Sequence, residues 1–211
     1  MTCSRPIRIL LADDHHLMRE GVRFMLETSP DMQLVASVND GIAAVETFKQ
    51  MIPDVTLMDL RMPGGDGLSA IAAIRAYAPC AKVIALSTYS GDALIKQARK
   101  MGASAYLLKS MLSENMLEVI RTVHAGQQYW PAELEAHATC VKDDLTPRER
   151  DIMHLVARGG SNREIAVDLG IGEETVKTYM RSILPKLGAN DRAHAVAICM
   201  RRGYLDLSDL P

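Results

Sequence analysis

The chain has 211 residues, 48% hydrophobic and 24% charged, with a formal net charge of −2. That balance is ordinary for a soluble globular protein with a core. A net charge so near zero excludes nucleic-acid binding by bulk electrostatics, so any such contact must come from a local cluster. Residues 1–125 carry 13 bases against 13 acids, residues 126–144 one against four, and residues 145–211 ten against nine. No apolar stretch approaches the roughly 18 residues of a membrane span, and residues 1–6 lack the apolar segment of a signal peptide. A cytoplasmic location without membrane contact is expected. Cys3, Cys80, Cys140 and Cys199 are too scattered for a zinc site or a disulfide scaffold and read as reduced, structural thiols.

From Arg8 to Ala125, β-rich runs alternate with helix-period segments, the pattern of repeated βα units around a mostly parallel sheet. Strands are predicted at Ile7–Ala12, Val55–Met58, Val83–Leu86 and Ala105–Leu108. Helices are predicted at about His16–Glu27, Asp40–Met51, Gly67–Ala78, Gly91–Lys100 and Ser113–Ala125. Five βα units fit in this length, although the residues of one strand stay unassigned. Glycines 41, 67, 91 and 102 and prolines 30, 53, 63 and 79 punctuate the connections.

Beyond Ala125 the strand signal stops. Residues 126–144 read as a linker, with a short helix near Ala132–Cys140, and everything from Leu145 onward has helical period. Thr146-Pro147-Arg148-Glu149 puts a capping Thr, a first-position Pro and a third-position Glu at a helix start. Ser161-Asn162-Arg163-Glu164 repeats the device, after a stop at Arg158-Gly159-Gly160. The short helix Asn162–Leu169 ends at Gly170-Ile171-Gly172, and another begins at Glu173, which makes a helix-turn-helix candidate. Val176, Tyr179, Met180, Ile183 and Leu187 share one face of the later helix, leaving Lys177, Thr178, Arg181 and Ser182 outward. Between Thr175 and Lys186 there are three bases and no acid, the local cluster that the bulk charge conceals. Pro185 removes a backbone hydrogen bond, so the regular helix is predicted to end or bend near Ile183–Leu184. A last helix over about Asp191–Arg202 closes at Gly203.

The first half carries a candidate chemistry. Asp13 and Asp14, Asp59, Ser87 and Lys109 each follow their own apolar run, so a parallel sheet brings all of them to its carboxyl edge, where open α/β sheets bind ligands. Mg²⁺ takes hard oxygen ligands and keeps several waters, so Asp13, Asp14 and Asp59 suffice to hold it. Asp59 can then attack phosphorus while Lys109 and Ser87 engage phosphoryl oxygens, the positioning and charge neutralisation on which phosphoryl transfer depends. Singly, an Asp-Asp pair is more often a solvated turn, and one Ser or Lys after a strand means almost nothing; the joint pattern is what points to a site. His15 and His16 read as loop residues beside the acid pocket, and the methionines at 18, 25, 58, 116, 153 and 180 as core gap-fillers.

Ile9-Leu10-Leu11-Ala12-Asp13-Asp14-His15, Asp54 to Gly64, Val83-Ile84-Ala85-Leu86-Ser87 and Gly102 to Lys109 resemble, in order and spacing, the blocks of bacterial response-regulator receiver domains. Leu145-Thr146-Pro147-Arg148-Glu149-Arg150, Ser161 to Ala166, Thr175-Val176-Lys177 and Ile183 to Gly188 resemble the LuxR-type helix-turn-helix. Together they resemble the NarL/FixJ class of regulators. The resemblance implies an α/β plus all-α chain: a flavodoxin-like (βα)₅ receiver with a parallel five-stranded sheet at 1–125, a linker at 126–144, and a small four-helix DNA-binding domain at 145–211. It further implies that a sensor histidine kinase phosphorylates Asp59, that the Arg61 carbonyl joins the metal ligands, and that Tyr106 is a switch aromatic acting with Ser87. The helix from Glu173 would enter the major groove of promoter DNA with Lys177, Thr178 and Arg181 at bases and phosphates. A face at Ala193, Val196, Ala197 and Met200 would support a homodimer, at least when phosphorylated or DNA-bound. The chain departs from the family at Ser110, often Pro; His16, often Pro; Gly172, often Ser; Tyr179, often His; and at Pro185. An aspartyl-phosphate enzyme would place a general acid two residues beyond the nucleophile, where Arg61 stands, so no enzyme activity is expected. The rival within the class is a phosphorylation-independent regulator whose receiver is an oligomerisation module.

Overall fold

Alternating strand and helix signals become a parallel sheet ordered β2-β1-β3-β4-β5 in the computed structural model, which describes residues 5–62, 66–88, 91–130 and 145–205, residue 92 without its side chain. The strands are β1 Ile7–Ala12, β2 Met32–Val38, β3 Val55–Asp59, β4 Val83–Ser87 and β5 Ala105–Leu108. Helices α1 His16–Glu27, α2 Gly41–Met51, α3 Gly67–Tyr77, α4 Asp92–Met101 and α5 Leu112–His124 join and follow them. Every residue of β3 and β4 is buried, because helices cover both faces of a parallel sheet. β2, the strand left unassigned by pattern, lies at the sheet edge and beyond Met32 none of its residues is fully buried.

The chain divides into two compact units, residues 1–88 with 95–135 and residues 89–94 with 136–211. In the first, Ile9, Leu11, Val22, Leu57, Ile84, Leu107, Met116 and Ile120 form part of one core. Met58 and Met116 are buried, and Met18 and Met25 pack against that core from its rim, as gap-fillers do. Residues just past α5 still serve the sheet: Tyr106 N donates to Tyr129 O and Tyr129 N to Ser104 O, so Tyr129 extends the β5 edge. The helix expected near 132–140 lies outside the described residues.

In the second unit, α6 Pro147–Ala157, α7 Asn162–Leu169, α8 Glu173–Leu187 and α9 Arg192–Arg202 enclose a core of Ile152, Met153, Ile165, Val176, Met180, Ile183, Ala195, Ile198 and Cys199. Both capping boxes form: Thr146 and Ser161 each accept from the N–H of the Glu three residues on, whose carboxylate accepts in return from the cap N–H. Gly172 starts α8 without a side-chain cap. Of the two outcomes expected at Pro185, the ending is corrected: α8 does not stop near Ile183–Leu184 but runs through Pro185 to Leu187. Proline so close to a helix end interrupts one bond only, and burial of Ile183 and Leu187 on either side, with Gly188 closing the end in the left-handed region, outweighs that loss. Among the described residues no helix is long and apolar enough to cross a membrane.

Candidate functional site

Strand order creates the first site. The connection from β1 runs to β2 on one side, while β3 pairs with β1 on the other, so the carboxyl ends of β1 and β3 part at a switch point. Asp13 follows β1 there and Asp59 ends β3; Ser87 ends β4 beside it, and Lys109 follows β5 in a short 3₁₀ turn that begins with it. Registers Ala12 to Met58, Asp59 to Leu86 and Ser87 to Leu108 set these residues on one rim. All four are buried. Lys109 Nζ lies 2.7 Å from Asp59 Oδ2 and 2.8 Å from Asp13 Oδ2, one ammonium bridging two carboxylates. The Arg61 N–H donates to Asp59 Oδ1 at 3.2 Å, which turns the loop after β3 around the carboxylate.

Charge in the pocket is lopsided. Asp13, Asp14, His15 and Asp59 offer ligand atoms within 4.8 Å of one another, so three carboxylates face one buried ammonium. That donor set, dominated by hard oxygens with excess negative charge, fits a hard divalent cation. Burial pushes the Asp59 carboxyl up to about 6, against the pull of Lys109 and the Arg61 N–H, and the Asp13 charge adds to the rise. Burial works to lower the Lys109 ammonium, and its bonds to Asp13 and Asp59 more than reverse this, leaving it above its ordinary value. Tyr106 is fully buried and hydrogen-bonded with Ser87, and burial pushes its phenol up to about 12.

Three contributors to this pocket escaped the sequence reading. The His15 ring folds back until Nδ1 is 2.7 Å from Asp14 Oδ1 and 3.4 Å from Asp13 Oδ1, so it joins the acids rather than merely flanking them. Arg19 Nη1 donates to the Asp13 carbonyl at 2.8 Å, tying the first turn of α1 to the loop. A Cβ on Gly67 would stand 1.9 Å from the Asp59 carbonyl oxygen, so only glycine lets α3 start against the end of β3. Adjacency to Asp14 was the only signal for His15, a place in a connection the only one for Gly67, and nothing local marked Arg19.

The second site is the exposed side of α8. Val176, Met180, Ile183 and Leu187 are buried, Tyr179 packs at the core's rim, and Thr178 and Arg181 are exposed with Lys177 half-exposed. Lys177 Nζ lies 2.6 Å from Glu174 Oε1 and 3.4 Å from Glu173 Oε1. The local base cluster is thinner than its sequence suggests, because Lys186 turns inward to Glu149, at 2.7 Å from Oε2. Glu149 is buried and accepts in addition from Thr146 N at 2.8 Å, Thr146 Oγ1 at 3.0 Å and Ser182 Oγ at 3.0 Å. Burial works to raise this carboxyl, but Lys186, Thr146 and Ser182 outweigh it and hold it below its ordinary value. The network fastens α8 to the start of α6. Ser182 is exposed, as expected, and its hydroxyl also joins the network. Arg148 Nη2 donates to Leu169 O at 2.9 Å, and Arg192 donates to the Gly160 carbonyl and to Asn162 Oδ1, so α7 and the turn before it are clamped as well. On α9, Ala193 and Ala197 are exposed and Val196 and Met200 partly so.

Comparison with known proteins agrees with both halves. Residues 9–121 match the response regulator receiver domain, and residues 143–199 match the bacterial regulatory proteins of the luxR family. The probable transcriptional regulatory protein NarL of Mycobacterium tuberculosis is 36% identical over 208 residues, covering 95% of this chain and 96% of that protein. The nitrate/nitrite response regulator protein NarL of Escherichia coli K12 is 34% identical over 206 residues, covering 92% and 95%. Among solved structures, the response regulator ChrA of a heme-sensing two-component system aligns with a TM-score of 0.55 at 30% identity, covering 96% of this chain and all of that one.

Proposed function

Because the chain belongs to the response regulators that join a receiver domain to a LuxR-family DNA-binding domain, and so regulates transcription by binding DNA, we propose that Asp59 is its phosphoryl acceptor. The observation that carries this is the Lys109 ammonium bridging Asp59 and Asp13 at adjoining strand ends. Asp13, Asp14, Asp59 and the Arg61 carbonyl would hold Mg²⁺. The bound ion supplies neutralisation of charge on the phosphoryl oxygens. An ionised Asp59 oxygen forms the new bond to phosphorus as the donor leaves with the electron pair of the old one. Lys109, already charged, transfers its hydrogen bond from Asp59 to a phosphoryl oxygen, and Ser87 donates to another, exchanging its bond with Tyr106. Ser87 and Tyr106 form the switch.

The donor is a sensor histidine kinase, and the compartment is the cytoplasm. Phosphorylation acts by favouring one conformation or assembly over another, here a homodimer that uses Ala193, Val196, Ala197 and Met200 and sets α8 of each copy in the major groove of promoter DNA. Lys177, Thr178 and Arg181 contact bases and phosphates. The domain limits are 1–125, 126–144 and 145–211. Arg61, beyond the acceptor, offers no general acid, which supports a regulator rather than a phosphotransfer enzyme.

The test is intact mass after incubation with Mg²⁺ and a small phosphodonor. Wild type gains one adduct of ~80 Da that requires Mg²⁺, and Asp59→Asn gains none. A folded wild type that never gains it favours the phosphorylation-independent regulator, with the receiver as an oligomerisation module.

A further inference from the structure

The exposed face of α8 carries an acid among its bases. Glu174, Lys177, Thr178 and Arg181 are spaced by three, four and seven residues and so form one stripe on the helix. The Glu174 side chain is 79% exposed, twice the 39% of Lys177, whose ammonium it holds at 2.6 Å. Thr178 Oγ1 donates to the Glu174 carbonyl at 2.9 Å, which fixes the hydroxyl next to the pair. A carboxylate in a stripe that approaches DNA is repelled by phosphates and lowers affinity for every sequence alike. The need for an acid at the helix start does not require it here: Glu173 sits in the same first turn, beside the uncapped Gly172, and already complements the helix dipole.

What the Lys177–Glu174 pair offers is a donor beside an acceptor. A G·C pair shows the complementary edge in the major groove: guanine O6 and N7 accept, and the cytosine N4 amino group donates. An A·T pair puts the thymine O4, an acceptor, in place of that amino group, with the C5 methyl beside it. We propose that Glu174 is a base-specificity residue, its carboxylate accepting from the N4 amino group of a cytosine while Lys177, still paired with it, donates to guanine in the same base pair. This rests on the reading of α8 as the groove-entering helix. The carboxylate that costs non-specific affinity thereby returns discrimination, because any base without an amino group at that place leaves one desolvated carboxylate oxygen without its donor.

Selection of bound duplexes from a random-sequence pool by the full-length protein, followed by equilibrium binding to single-base variants of the selected site, tests this. Wild type should prefer cytosine at one position in each half-site. Glu174→Ala should lower that preference about five-fold or more and leave the other positions unchanged. Glu174→Gln keeps the shape of the side chain, so it guards against a folding artefact, and should move the preference toward adenine. Uniformly tighter binding by Glu174→Ala, with every positional preference intact, would overturn the proposal and leave the groove reading standing, since that is how a solvated helix-start acid behaves. A folded wild type that enriches no sequence would overturn the groove reading and the proposal with it.

Discussion

Asp59 and Glu149 are both 3% exposed, and each has a lysine ammonium at 2.7 Å, yet they titrate in opposite directions. Asp59 rises to about 6, while Glu149 falls below its ordinary value. The difference lies in how many donors each has and what stands nearby. Lys109 is shared between Asp59 and Asp13, and the second carboxylate repels the first. Glu149 receives Lys186, a backbone N–H and two hydroxyls. A carboxylate with too few partners is available for chemistry or metal, whereas one with every lone pair engaged is a fastener.

The largest effect is expected at Lys109. Lys109→Met leaves Asp13 and Asp59 buried with no cation between them and should lower stability by ~3 kcal/mol or more at pH 8, measured by urea unfolding. Glu149→Ala strands a lysine that is 29% exposed and can partly rehydrate, so its cost should be smaller, ~2 kcal/mol, and should come with weaker DNA binding as α8 loses its tie to α6. Thr146→Ala removes one cap of the same network and should cost ~1 kcal/mol; no change in melting temperature would argue against the network as a fastener.

Titration sharpens the contrast. Because the folded pKa of Asp59 is raised to about 6, the native state holds a proton that the unfolded chain has released, so its contribution makes stability fall as pH rises through roughly 4 to 6. Asp59→Asn should remove that slope and be at least as stable as wild type at pH 7 to 8. Glu149, lowered, has the reverse sign: its contribution is full above the ordinary carboxylate range and is lost as pH falls through its folded value. Mg²⁺ should compete with the Asp59 proton, so stabilisation by added Mg²⁺ in thermal melts should be larger at pH 8 than at pH 5. Equal Mg²⁺ effects at both pH values would count against Asp59 as a ligand.

Local pattern revealed a good deal of this. Four strands, nine helices and both capping boxes are visible in periodicity and turn chemistry among the described residues, since these depend on neighbours within a few positions. Pro185 shows where such reasoning overreaches, because a local rule about helix breakage met a tertiary anchor on each side. β2 shows where it falls short, because Met32–Val38 has no clear alternation and its place as a strand rests on pairing with β1.

The residue types of the acid pocket, and their places after successive strands, were legible in the chain alone because side chains at strand ends are set by local order and a parallel sheet collects them. Their pairing was not. That Lys109 is shared by two acids, that Glu149 reaches Lys186 across 37 residues, that His15 folds onto Asp14, and that Gly67 must lack a Cβ beneath Asp59 are all distances between segments. Only packing fixes such distances, and with them the desolvation and donor count that push one buried carboxylate up and the other down.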